Sequence, residues 1–304
     1  MREAYRSRKA RAISRMGVRM EQWIDEDVGN IIALEHVNLQ VPDQAMAILF
    51  YVVGLGLTRD PYINVGGNNM WINAGEQQFH LPTRAAQVIY GHIALVVPNL
   101  EGLKKRLASV EEGLRGTRFC WSLQKDHIQV TCPWGNQFRC YDAADEFGDM
   151  SLGIPYVEFG AASGSVRSIV EFYAQVLGAP ACMDSDQGEA IGRVRIGRHQ
   201  YLRFRETREA LPAYDGHHVA IYVTNFSRAY GWLKDRGLIT EEARNHQFRF
   251  RTLVDPASVE PVFALEHEVR SLYHPMFDRS FVNRDPNQSQ RAYRRGRDSL
   301  IPFR

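Results

Sequence analysis

Four of the chain's ten histidines, His36, His80, His92 and His218, fall in short stretches that alternate apolar and polar residues. Such alternation marks a half-buried strand, on which residues i and i+2 share a face. In LEHVNLQV (34–41), Val37, Leu39 and Val41 form the apolar set, which leaves His36, Asn38 and Gln40 on the other face. The same parity sets His92 and Ala94 against Ile93, Leu95 and Val97, and Gln78 and His80 against Phe79 and Leu81. It sets Gln137, Arg139 and Tyr141 against Phe138 and Cys140. Later in the chain it presents Tyr156 and Glu158, Arg203, His218, and the pair Glu266 and Glu268. Three imidazoles that converge can hold zinc, iron, copper or nickel, and a three-histidine site with open positions can be catalytic. Arginine stays protonated and cannot be a ligand, but it can anchor a carboxylate or phosphate. The alternative is a polar face lined by hydrogen-bonded histidines without a metal.

The elements that must carry these groups recur. LEHVNLQV (34–41), GHIALVV (91–97), IPYVEFG (154–160) and HHVAIYV (217–223) each read as a strand followed by an amphipathic helical stretch and about three short β-patterned runs. The spacings agree: 56 residues separate His36 from His92, and 62 separate Tyr156 from His218. The pattern predicts an α+β fold of tandem βαβββ units, four in number and paired into two domains, 31–146 and 152–275. The linker DAADEFGDMSLG (142–153) is acidic and contains glycine, as a boundary should be. A basic arm (1–30) precedes the first domain and a basic tail (276–304) follows the second.

The order LEHVNLQV, FYVVGLGL, GHIALVV, CPWGNQF, GHHVAIYV and FALEHE resembles the vicinal oxygen chelate superfamily, which holds glyoxalase I, bleomycin-resistance proteins and extradiol dioxygenases. The resemblance spans about 31–275. It implies that two units close a half-barrel around a cavity, with metal ligands on the first and last strand of each unit. For the first pair those positions hold His36, His80, His92 and Arg139, the last where the family usually has glutamate. His36, His80 and His92 are therefore the expected metal ligands, with Arg139 as a catalytic or substrate-binding group. The second pair offers a second candidate site of His218, Glu266 and Tyr156 or Glu158, with Arg203 and Tyr156 as substrate-binding groups. Extradiol dioxygenases also carry a late His, Tyr, Asp-Pro, Glu signature. Here His246, Asp255-Pro256 and Glu266 stand in that order, with Thr252 where the tyrosine is expected. The resemblance makes His246 a catalytic acid/base; the alternative is a surface strand residue.

The rest narrows the class. With 44% hydrophobic and 24% charged residues the chain reads as globular, and no apolar run reaches 18 residues, so a membrane span is not expected. Four cysteines without a CxxC pair point to a reducing, cytoplasmic setting. Residues 1–20 carry seven basic groups and one acid, which leaves organellar import open. Basic termini on an acidic body could suggest nucleic acid, but the arms lack interleaved aromatics. The expected partner is a small-molecule substrate, and a homo-oligomer is open. No phosphate loop, GxSxG elbow or dinucleotide fingerprint is present. The resemblance favours a metal-dependent oxidoreductase, an extradiol-type dioxygenase acting on a small aromatic or vicinal-dioxygen substrate, with Fe²⁺ favoured over Zn²⁺ or Mn²⁺. A glyoxalase-like lyase or isomerase and a metal-free resistance-type binding protein are the alternatives.

Overall fold

The computed structural model describes residues 26–63, 66–186, 188–286 and 291. Most of the basic N-terminal arm and the end of the basic tail lie outside the described residues. No helix among the described residues is long and apolar enough to cross a membrane.

Four βαβββ units follow one another. The first comprises β1 (Ile31–Asn38), α1 (Gln44–Ala47, running on as a π-helical stretch Ile48–Gly54), β2 (Thr58–Arg59), β3 (Asn69–Ala74) and β4 (Gln77–Pro82). The second holds β5 (Gly91–Val97), α2 (Leu100–Val110), β6 (Cys120–Leu123), β7 (Ile128–Thr131) and β8 (Gln137–Asp142). The third holds β9 (Tyr156–Ala162), α3 (Val166–Gln175), β10 (Ala181–Asp186), β11 (Glu189–Gly197) and β12 (Gln200–Thr207). The fourth holds β13 (His218–Val223), α4 (Phe226–Lys234), β14 (Ile239–Ala243), β15 (Gln247–Val254) and β16 (Pro261–Ser271). Three of the helices begin where the sequence sets an Asx residue just after the first strand. The side chains of Asp43, Asn99 and Asn225 accept from the backbone N–H three residues on and so cap those helices.

The strands form two eight-stranded sheets. Sheet one runs β14-β15-β16-β13-β1-β4-β3-β2 and sheet two runs β10-β11-β12-β9-β5-β8-β7-β6. Unit one therefore joins unit four, and unit two joins unit three. This corrects the expected pairing of consecutive units within 31–146 and 152–275. The repeat defines which face of each strand is apolar, and that pattern is the same whichever unit lies alongside. A glycine carries part of the choice. Gly91 starts β5 at φ +144°, and a Cβ there would lie 2.0 Å from the Glu158 carbonyl oxygen of β9. Only a residue without a side chain allows β5 to approach β9 so closely.

Units one and two, and units three and four, meet instead through their helices. Phe50 and Tyr51 of α1 pack against Phe79 of sheet one and Phe138 of sheet two, with ring centroids 5.3–6.1 Å apart. Phe172 and Tyr173 of α3 likewise reach Phe250 and His267 of unit four. His267 points into this core, as parity predicts. It stacks on Phe250 at 4.6 Å and pairs with the Tyr173 hydroxyl at 2.6 Å. The opposite, concave face of each sheet is left for polar side chains.

Candidate metal centre

Sheet one brings together His36 of β1, His80 of β4 and His218 of β13. One ring nitrogen from each lies within 4.8 Å of the others. His36 sits 5.6 Å, ring to ring, from both His80 and His218. The Nε2 atoms of all three are buried and have no hydrogen-bond partner among the described residues. Buried polar nitrogens without partners are costly and rare, so three at one point call for a shared occupant. Burial, and then the other imidazoles, hold the His80 pKa down at about 3 and that of His218 well below the usual histidine value. Both rings are therefore neutral, with the lone pair that a metal needs. The donor set thus fits a divalent ion.

Local structure fixes each ring. The register of β1 against β13 shifts between Leu34 and His36, a bulge that lets Leu34 and Val37 both enter the core. Glu35 and His36 are consequently both on the concave side, and the Glu35 carboxylate accepts from His36 Nδ1. Burial opposes ionisation of Glu35, but His36 and Arg270, whose Nη1 lies 2.8 Å away, hold its pKa at about 2. A carboxylate on Nδ1 leaves Nε2 as the free donor, an arrangement typical of metal-bound histidine. Trp71, opposite His80 in the β3–β4 ladder, stacks on that ring at 4.0 Å and 13°.

The register identifies a fourth corner. In β1 and β4, His36 lies opposite Gln78, so His80 is two residues beyond its partner. In β13 and β16, His218 lies opposite Glu266, and the residue two beyond is Glu268. The antiparallel pairing of β1 with β13 relates these halves by an approximate twofold: Asn38 faces His218 as His36 faces Ala220. Glu268, rather than Glu266, is thus the counterpart of His80. Its Oε2 lies 3.8 Å from His218 Nε2. Glu268 is buried, and Arg249 and Arg270 each bond one of its oxygens. Glu266 is a quarter exposed and pairs with Arg249 at 2.7 Å.

The remaining expected residues divide. His92, expected beside His36 and His80, lies on sheet two with Arg139, Tyr156, Glu158 and Arg203, because β5 pairs with β8 and β9. The sequence-based set of His36, His80 and His92 is therefore replaced by His36, His80 and His218. Tyr156 and Glu158, offered as companions of His218, belong to the other sheet. His246 does not reach the centre. It is exposed at positive φ in the β14–β15 turn, near Tyr273. Parity could not reveal Glu35, which needs the bulge, or the clamp of Arg249 and Arg270.

The segment after β16 crosses the end of sheet one. Arg279 donates to Asp60 at 2.8 Å, and Asn283 exchanges hydrogen bonds with the Gly75 backbone. Together with β1 it borders a cavity of about 540 Å³ that Glu35, Tyr222, Phe277 and Arg279 help to line. None of the three imidazoles lines this cavity, which adjoins the centre through Glu35.

No protein-family model and no curated protein sequence matches the chain. Solved structures do. A Bacillus subtilis protein described as a "putative dioxygenase" aligns at 14% identity over 81% of this chain and 86% of its own, with a TM-score of 0.54. Glyoxalase I from Zea mays aligns at 14% identity over 81% and 94%, with a TM-score of 0.54. The chain has the same fold of paired βαβββ units as these two proteins. The half-barrel formed by units one and four carries the three-histidine cluster, and that formed by units two and three does not.

Proposed function

We propose that this chain is a metal-dependent enzyme of the vicinal oxygen chelate type, acting on a small substrate with two adjacent oxygens. The observation that carries the proposal is the trio of buried, unpartnered Nε2 atoms of His36, His80 and His218. These side chains would hold the ion, with Glu268 at the fourth corner. A bound divalent metal would polarise the substrate oxygens as a Lewis acid and, as Fe²⁺, would support dioxygen chemistry. The protein's own part is to place and insulate. Glu35 orients His36, Trp71 braces His80, and the cavity beside Glu35 gives a small substrate room. The unpaired cysteines agree with a reducing setting, and a cytoplasmic location is part of the proposal.

A dioxygenase is the reading favoured first. With both oxygens of Glu268 bonded to arginines, three imidazoles are the free donors. Held by three protein donors, a bound ion would supply dioxygen chemistry to a substrate with two adjacent oxygens. The second reading, a lyase or isomerase, rests on the same Glu268. If the carboxylate leaves Arg249, it lies beside His218 where it could take a proton from a carbon next to the chelated oxygens. Anaerobic loading with Fe²⁺, followed by oxygen uptake with catechol-type and dicarbonyl substrates, separates the two. Uptake with a catechol supports the first, and dicarbonyl turnover without uptake supports the second. Failure of the chain to bind any divalent metal would overturn both.

A further inference from the structure

The same twofold register runs through sheet two. His92 lies opposite Glu158 across β5 and β9, as His218 lies opposite Asn38 in sheet one. Tyr156 lies opposite Tyr201, and Ala94 lies opposite Arg139. The four corners that hold His36, His80, His218 and Glu268 in sheet one therefore hold Tyr156, Arg203, His92 and Arg139 in sheet two. The chemistry is inverted. Two guanidiniums occupy ligand corners, and a third, Arg205, stands two residues from Arg203 on the same strand face. Glu158 is the buried carboxylate among them, 3.3 Å from Arg203 and 2.8 Å from Arg205. Arg205 is also paired with Asp186 and Glu189. Arg203 lies over the Tyr156 ring at 4.6 Å. Arg139 is half-buried, and no carboxylate among the described residues is within ion-pair distance of it.

We propose that the concave face of sheet two is a metal-free binding site for an oxyanion group, a carboxylate or a phosphate, held by Arg139, Arg203 and the Tyr156 hydroxyl. Arg205 is balanced by Asp186 and Glu189, so Arg139 and Arg203 face Glu158 as the one buried carboxylate between them, which leaves a positive surplus at those two corners where a cation would be repelled. A guanidinium fork matches the planar or tetrahedral array of oxygens that such groups present. A chain of hydroxyls supplies further donors. Tyr156 OH lies 3.2 Å from His92 Nε2 and 3.0 Å from Tyr141 OH, and either phenol can turn its proton towards a ligand. His92 adds no charge of its own. Burial, then Arg139 and Arg203, holds its pKa at about 2. The proposal does not depend on the metal centre of sheet one.

Calorimetric titration of the full chain with inorganic phosphate and with benzoate, against chloride at matched ionic strength, tests it. Saturable binding of either anion is expected, about tenfold or more weaker in Arg139→Gln and unchanged in His218→Ala. Phosphate alone or benzoate alone would name the ligand type. A second readout guards against misfolding. In anion-free buffer Arg139→Gln should melt at or above the parent temperature, because it removes an unpaired charge. The proposal is overturned if neither anion binds beyond chloride, or if Arg139→Gln binds as the parent does. Binding lost only in His218→Ala, or an Arg139→Gln protein several degrees less stable without anion, would overturn it as well.

Discussion

Glu35 and His36 are neighbours in sequence, yet both side chains stand on the concave side of β1, and the carboxylate of one accepts from Nδ1 of the other. A regular strand would send one of them into the core. The bulge makes the pair a ready-made ligand with its orienting base. Glu35→Gln keeps the shape but loses the charge on Nδ1. Metal affinity should fall about 10–100-fold, the usual cost of removing such an orienting partner. Quenching of Trp71 fluorescence on metal addition offers the titration signal, since that indole stacks on His80. An unchanged affinity would show that Glu35 is not the orienting group.

The strand register separates two glutamates that sequence parity treats alike. Glu268→Gln should weaken metal binding about tenfold more than Glu266→Gln, because only the former sets a buried carboxylate beside His218 Nε2, where its charge offsets that of an ion held by the three imidazoles. Both substitutions remove one carboxylate from Arg249, so loss of that ion pair is shared. The reverse ranking in a competition titration would return the fourth corner to Glu266.

Asp60 ties the segment after β16 to sheet one. Burial raises its pKa, but hydrogen bonds from Arg279 and from the Tyr62 and Ile63 backbones lower it further, so the net shift is downward. A carboxyl held low contributes stability above its unfolded value, about 4, and loses it as pH falls through the folded value. Asp60→Asn should therefore be less stable at pH 7 by roughly 1–3 kcal/mol. The gap from the parent should close as the melts are repeated towards pH 3. A gap independent of pH would show that the charge of Asp60 is not what matters.

Much of this was legible in the sequence, and the reason is strand parity. The alternation around His36, His80, His218 and Glu268 states which side chains leave the core, and the structure keeps them there. His267 was readable as a core residue for the same reason, lying between two glutamates that face the other way. What parity cannot carry is the identity of the neighbour. β1 could bury its apolar face equally well beside β5 or β13, and the difference decides whether His92 or His218 joins His36. Gly91, at a place where β5 nearly touches the Glu158 carbonyl, held a local clue to the answer. The Glu35 bulge was hidden because one extra residue in a strand leaves the apolar spacing on either side looking ordinary.

The most direct test of the metal centre is the metal content of purified chain carrying His218→Ala or His92→Ala, each loaded with Fe²⁺ or Zn²⁺ under the same conditions. The parent and His92→Ala should hold about one ion per chain, and His218→Ala should lose most of it. Retention by His218→Ala with loss in His92→Ala would contradict this centre and restore the pairing of unit one with unit two.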